Sequence, residues 1–579
     1  MTPIFERQFE RTLDALIARF SSGETRKVEA WVFDDEKSRR QAETALAAKG
    51  VEAKFRSAYK PLLHFFLEDI DLSALSAVHV VYPVHAACPK NRFLLEAYPL
   101  AGLTGGVDMT FESGNDDTFF YEVALTAKDG NRRSHKVFAP NRAHKDFIGE
   151  TLISPTGWLI ADGGAGERLE TDYEMLFQSA AGAVAAHDWG AAEPYFEELN
   201  IAVTLPAEDR RLAVGEEAVS LREALHEDFY FSLLEVFQKR SGRPIGDRGL
   251  KPGQIVPEIR FGETISVRVE TRPLTTSEEI TEMQPLDFST SPIAAGQVRQ
   301  ELASIEGVPF AARSRSGRTV DARYHAGSDK PIIISGGQHP NETTGIVGAL
   351  RAARNLAARP NAHFVISPLE NPDGYQIHWR LRADNPFHMH HAARYTALGD
   401  DLEYRSGENL GEKAIRVEAE RLSGAELHVN LHGYPSHEWT RPLSGYVPRS
   451  FAMWTVPKGF FLVMRHHVGW AEQAKLLIDR VTRHLAAIPG LVEYNDRQVR
   501  LFEIHAGETG FRIVNGFPCL ISVDERHTVP LTLITEYPDE TIYGDAFTDG
   551  HTAQMETVLA AYEAMQTIDA PASAPEAVV

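Results

Sequence analysis

Three apolar runs, each ending on a polar residue, constrain this chain more than any other feature. Ile332-Ile333-Ile334 leads into Ser-Gly-Gly-Gln-His339-Pro-Asn-Glu342. Leu427-His428-Val429-Asn430-Leu431 leads into His432-Gly433, and Leu531-Thr532-Leu533-Ile534-Thr535 ends at Glu536. Short runs this apolar read as strands covered on both faces, and open parallel sheets present their ligand sites just past the carboxyl ends of such strands. Two imidazoles and one carboxylate make a three-ligand zinc set that leaves a fourth position for water, and the remaining carboxylate can act on that water as a base. The pattern points to a zinc hydrolase.

Length and composition set the frame for that reading. With 579 residues the chain exceeds a single ordinary core, so about two to four domains are expected. An apolar share of 43% and a charged share of 24% are those of a globular protein. The formal charge of -22 disfavours nucleic acid and anionic membranes as partners. Two cysteines far apart, Cys88 and Cys519, exclude a disulfide framework and favour a reducing compartment. The N-terminal stretch MTPIFERQFERTLDALIARF lacks the basic head and apolar core of a secretion signal. Its Ile4, Phe5, Phe9, Leu13, Leu16 and Phe20 instead mark one face of a helix over about 3–20. No apolar stretch reaches about 18 residues, so no membrane span is expected and the location expected is cytoplasmic.

Residues 1–150 alternate helical and strand patterns and are expected to form a small α/β domain. Residues 151–292 hold a helix at 219–240, a Gly/Pro-rich stretch and a strand at Ile265–Val269; the polar DFSTSPIAAG at 287–296 reads as a linker. Whether this is a second domain or part of the first is open. From 293 to 567 apolar strands at 331–335, 363–367, 427–431, 519–523 and 531–535 alternate with helices. The fold class expected is α/β, a mixed, mostly parallel sheet with helices on both faces, preceded by an α/β or α+β region. Residues 568–579 are poor in bulky side chains and read as a disordered tail.

Pro340 is tolerated at a helix start but not inside one, which places His339 in a loop and Glu342 in the first helical turn. An ordinary strand-to-helix loop would carry the same pair by chance; His432, following a strand and preceding a glycine, strengthens the metal reading. His428 shares strand parity with His432 but sits about 13 Å earlier along an extended chain, which favours a structural role. His437 would need its loop to fold back. The cluster His388-Met389-His390-His391 lacks strand or carboxylate context and reads as a solvated or substrate-facing loop.

His339-Pro-Asn-Glu342, Glu370-Asn371-Pro372-Asp373-Gly374-Tyr375, His432-Gly433 and Glu536 occur in one order. Over roughly 297–565 this resembles the M14 family of zinc carboxypeptidases, whose pattern is HxxE, NPDG, a later His and a strand-borne Glu. The resemblance implies one zinc per chain held by His339, Glu342 and His432, with Glu536 as general base. It implies an arginine after NPDG that stabilises the oxyanion, matched best by Arg380 and next by Arg382. It implies an aspartate that orients a zinc histidine, matched by Asp401. The family's Asn-Arg clamp for a substrate carboxylate falls on Glu403 and Tyr404, where a carboxylate would repel such a substrate. Arg405 or Arg441 then becomes a substitute, and Asn371 and Arg382 remain candidate substrate contacts.

The function expected is hydrolysis of a peptide or amide bond, most simply by a metallocarboxypeptidase acting on a peptide. The alternatives are a zinc deacylase or amidase acting on an acyl-amino acid, favoured by the missing clamp, and, in another class, a non-catalytic binding module.

Overall fold

Ile332–Gly336, Leu427–Pro435 and Leu531–Glu540 are neighbouring parallel strands in the computed structural model; His339 lies just past the first, whereas His432 and Glu536 lie inside the second and third rather than at their ends. It describes residues 3–115, 118–275, 283–449 and 454–571. The chain is mixed α/β and divides into two units. One comprises Met1–Pro273, His437–Val456 and Leu501–Glu508; the other comprises Leu274–Ser436, Pro457–Arg500 and Thr509–Val579. The chain thus changes units in the middle of the region expected to be one continuous domain. The segment 287–296 is no loose linker, since Ile293 is buried in the core of the second unit. The tail expected at 568–579 lies outside the described residues beyond 571, and its first residue, Ile568, is buried in that same core. No helix among the described residues is long and apolar enough to cross a membrane.

In the first unit, strands Lys27–Val32 (β1) and Glu52–Ser57 (β2) run parallel, joined by helix Glu36–Ala47 (α1). Asp35 caps α1 by accepting from the Ser38 N–H, and Pro61 opens the next helix, Pro61–Asp69 (α2), where its missing N–H costs nothing. Val28, Ala30 and Val32 face Leu13, Leu16 and Phe20 of helix Thr12–Phe20 and Ala42 and Leu46 of α1. The single helix expected over 3–20 is a strand, Phe5–Phe9, followed by that helix. The strand pairs with Ile265–Arg272, and this non-local partner overrides the helical spacing.

The second unit is built on nine strands: Val308–Arg313 (β3), Thr319–His325 (β4), Ile332–Gly336 (β5), Phe364–Ser367 (β6), Leu427–Pro435 (β7), Phe461–His466 (β8), Arg512–Val514 (β9), Phe517–Val523 (β10) and Leu531–Glu540 (β11). Their order is β3-β4-β6-β5-β7-β11-β8-β10-β9. β6, β5, β7 and β11 form a parallel block and β8 pairs β10 in parallel; the other four of the eight contacts are antiparallel. The sheet is therefore evenly mixed rather than mostly parallel. Hairpins such as β3-β4 and β9-β10 need no crossover helix and can be added at the edges.

Alternation along the strands sorts the site from the core. Ile332, Ile334, Leu427, Val429, Leu431, Leu531 and Leu533 pack on helices Thr344–Ala357 (α3), Ala471–Leu485 (α6) and Asp545–Met565 (α7). Each such fully buried aliphatic side chain contributes roughly 1.5–3 kcal/mol. Ile333 and Val365 face the other way, toward Ala419 of helix Ala414–Ser423 (α5). Side chains alternate across a strand, so His428, Asn430 and His432 of β7 and Glu536 of β11 share this second face. Helix Pro372–Asp384 (α4) follows β6 and starts inside the NPDG segment.

Candidate metal centre

β5 ends at Gly336, and Gly337 turns the chain with φ +61°, where a Cβ would also lie 2.8 Å from Leu369. The turn closes as the Glu342 N–H donates to His339 O at 3.1 Å, and α3 begins only at Thr344. Glu342 thus stands just ahead of the helix rather than in its first turn. One carboxylate oxygen of Glu342 lies 3.0 Å from His339 Nδ1 and the other 2.9 Å from His432 Nδ1. The two Nδ1 atoms are 3.1 Å apart, and all three residues are buried. Gly433 N–H donates to Glu342 Oε2 at 3.1 Å; a side chain on Gly433 would fall 2.1 Å from Asp539 Oδ1.

This donor set fits zinc. Two imidazole nitrogens 3.1 Å apart can share one N–H, but the accepting nitrogen then turns its lone pair toward a Glu342 oxygen, whereas one cation satisfies both nitrogens along with Glu342. Tetrahedral zinc with the usual bond lengths sets its ligand atoms about 3.3 Å apart, close to the spacing seen. The far nitrogen of His339, Nε2, lies 3.4 Å from Asp401 Oδ1. Asp401 Oδ1 also accepts from Gln338 Nε2 and from the Glu403 N–H, each at 3.0 Å. That is the outer-shell arrangement that fixes a ligand imidazole.

Glu536 faces His432 in the β7–β11 ladder, and Phe461 of β8 faces Glu536 from the other side, so the three side chains stand level on one face. Burial raises the Glu536 carboxyl well above the usual range, and Glu342 raises it further, against Arg394 and Lys458. Burial also opposes ionisation of Glu342, but His339, Arg394 and His432 outweigh it and hold that carboxyl well below the usual range. Burial lowers His432, only partly offset by Glu342, and so favours the neutral ring that a metal requires.

Two cations at this centre were not singled out in the sequence. Arg394 donates to Glu342 Oε1 at 2.6 Å, and its Nε has no partner among the described residues. Arg380, the arginine expected near the ligands, is half-buried on α4. Lys458 is fully buried, its Nζ 5.0 Å from the Tyr434 ring and 5.4 Å from the ring of Phe461, which faces Glu536. Burial pushes the Lys458 ammonium down to about 7 despite Glu536. Nothing in the local sequence marks it.

The remaining candidates are placed differently from expectation. Asn371 caps α4, accepting from the Gly374 N–H at 2.9 Å, and its Nδ2 lies 3.5 Å from Arg394 O. Arg382 stacks on Trp379 and Tyr543 and bonds the Tyr543 hydroxyl. Arg405 is buried against Asp400 and Glu412, and Arg441 is buried against Glu235 within the first unit. Both are thereby neutralised and unavailable as carboxylate clamps. Tyr404 is 41% exposed and lies under the Arg526 guanidinium. Glu403 is not the bare repelling carboxylate expected: Arg465 (2.5 Å), His527 (2.9 Å), Arg416 (3.3 Å) and Arg526 (3.6 Å) surround it. Although burial opposes it, His527, Arg416 and Arg465 hold the Glu403 carboxyl far below the usual range.

Glu403→Gln should therefore destabilise the fold by about 2 kcal/mol in urea unfolding, because it removes the charge-assisted hydrogen bonds from Arg465 and Arg416, while Glu370 still pairs with Arg416 and Asp524 with Arg465 and Arg526. Unchanged stability would mean those arginines hydrate freely.

The competing histidines are otherwise engaged. His428 Nε2 is 2.6 Å from Ser335 Oγ, and His437 Nε2 is 2.7 Å from Glu223 Oε1 in the first unit. His388, His390 and His391 are buried, not solvated.

No protein-family pattern and no curated protein matches the chain. Among solved structures it is similar to a putative metallopeptidase from Shewanella denitrificans OS217, at 14% identity and a TM-score of 0.29, over 48% of this chain and 98% of that one. A metallo-carboxypeptidase from Pseudomonas aeruginosa aligns at 15% identity and TM-score 0.27, over 52% and 72%. An aspartoacylase family protein from Mesorhizobium loti aligns at 16% identity and TM-score 0.23, over 43% and 68%.

Proposed function

We propose that the chain is a zinc-dependent hydrolase of peptide or amide bonds. The observation that carries this reading is the buried convergence of His339, Glu342 and His432, with Glu536 level with them on the same face. Bound zinc would be held by His339, Glu342 and His432, and would supply a water of near-neutral pKa and polarisation of the scissile carbonyl. Glu536 accepts the proton of the attacking water and returns it to the leaving nitrogen. Arg394, fixed against Glu342, has N–H groups left to stabilise the developing oxyanion, an effect of about 3 kcal/mol for one good donor. Asp401 holds the His339 ring in one orientation.

A carboxypeptidase remains the simplest form of this activity. An amidase or deacylase is favoured by one observation: Arg405 and Arg441, the two arginines expected to substitute for the missing clamp, are both buried in ion pairs with the protein's own carboxylates. The purified protein should carry about one zinc and hydrolyse at least one class among blocked dipeptides with free C-termini, their C-terminal amides, and N-acyl amino acids. A chelator should abolish that turnover. Zinc bound without turnover on any class would favour a binding module, and absence of zinc would end the hydrolase reading.

A further inference from the structure

The first unit holds a cavity of about 540 Å³, the size of a small-molecule site. It lies over the face of a small sheet that is turned away from that sheet's core. Along β1, Val28, Ala30 and Val32 point into the core, so Glu29 and Trp31 point to the other face. In the neighbouring strand Gly157–Ala161, Leu159 joins the same core, while Trp158 and Ile160 share the face of Trp31. Helix α2 and the paired Phe120 and Phe138 of a second sheet close the cavity from the other side.

Trp31, Phe65, Phe120, Phe138 and Trp158 supply most of the apolar wall. Phe138 meets Trp31 at 5.3 Å and 86° and Trp158 at 5.6 Å and 78°, both edge to face, and Phe120 lies 4.9 Å from Phe138. The charged groups of the wall are satisfied within the protein. Arg56 bridges Glu29 and Asp69, each at 2.9 Å, Glu68 is held by Arg39 and Arg40, and Lys136 pairs with Glu122 at 3.0 Å. The indoles are different. Neither Trp31 Nε1 nor Trp158 Nε1 makes a hydrogen bond among the described residues, and neither is sealed from solvent, in contrast to Trp379 Nε1. Trp158 Nε1 lies beside Gly166, where a Cβ would fall 2.5 Å from it. Trp31 is only 4% exposed and lines the cavity, so the surface its ring keeps, the N–H included, is cavity surface.

We propose that this cavity binds a neutral, flat aromatic molecule that carries a carbonyl, its oxygen accepting from the Trp31 indole N–H. Aromatic walls gain from a further ring, at an edge or a face, beyond the area that it buries. The indole is a donor only, so the polar group that suits it is an acceptor. A charged ligand fits less well: it would give up its hydration, while Glu29, Arg56, Glu68, Asp69 and Lys136 are already ion-paired and leave it no counter-charge.

The test is calorimetric titration of the full-length protein with acetophenone, a ketone that a hydrolase of amide bonds leaves intact. Three probes of similar size each lack one feature: cyclohexyl methyl ketone the aromatic ring, ethylbenzene the acceptor, and benzoate the neutrality. Saturable acetophenone binding is expected, weakened about fivefold by Trp31→Phe, which keeps a ring but removes the N–H, and about tenfold by Ile160→Trp, which fills the cavity. Folding of each variant is checked by circular dichroism, and Ile160→Trp, at a half-buried position, decides the matter if Trp31→Phe does not fold. Equal or tighter binding of any of the three probes, no saturable acetophenone binding at millimolar concentration, or binding indifferent to the folded variants would each overturn the proposal. None of these outcomes depends on the metal centre, so the two readings stand or fall separately.

Discussion

Glu536→Gln should keep the fold and the metal and lower kcat by about three orders of magnitude, with KM little changed. The substitution preserves shape but removes the basic oxygen pair, and a positioned general base contributes about 10²–10⁴ in rate. Its placement argues for the role: Glu536 stands level with the ligand His432 on the face that carries the site, with Lys458 adding positive charge nearby. A structural role for Glu536 would instead show as lost stability with normal turnover. The rival base is Glu540, which lies beyond a register shift in β11 and pairs with Pro435. Its Oε2 accepts from Asn341 at 2.7 Å, and burial, then Glu342, push its carboxyl up to about 8. Near-normal kcat in Glu536→Gln with zinc bound would move the assignment to Glu540.

The strands that carry His432 and Glu536 and the one that leads to His339 were legible because each starts as an apolar run followed by a polar residue, a pattern that survives without knowledge of its partners. What depended on distant partners was not. Phe5–Phe9 read as helix because its spacing suits one, and only pairing with Ile265–Arg272 reveals the strand. Glu403 read as a bare charge because Arg465, Arg526 and His527, which neutralise it, arrive from two other parts of the chain. Arg394 and Lys458 lie in stretches without periodicity, and only the fold carries them to the ligands. The segment 437–456 joins the first unit through buried polar bonds such as Arg441–Glu235 and His437–Glu223, which composition does not announce.

His432→Ala should lose most of its zinc and, with it, the metal's contribution to stability. Two protein ligands hold zinc poorly, and a metal that binds the folded state alone stabilises by about 2.7 kcal/mol at a free concentration one hundred times its Kd. In the parent protein, thermal unfolding with zinc and with a chelator should give clearly separated midpoints, whereas in His432→Ala the two curves should coincide. The comparison isolates the metal term from the packing cost of truncating a buried ring, because that cost is common to both curves of the variant. The ring also leaves Glu342 with fewer partners, yet Arg394 and the Gly433 N–H still hold both of its oxygens, so the turn after β5 should keep its shape. Rescue by a neighbouring histidine is not expected. His428 is bonded to Ser335 and His437 to Glu223, so recruiting either would break a buried hydrogen bond costing about 1–3 kcal/mol. Full zinc occupancy in His432→Ala, measured by atomic absorption after dialysis, would show that the third ligand is not His432 and would remove the geometry on which the hydrolase reading rests.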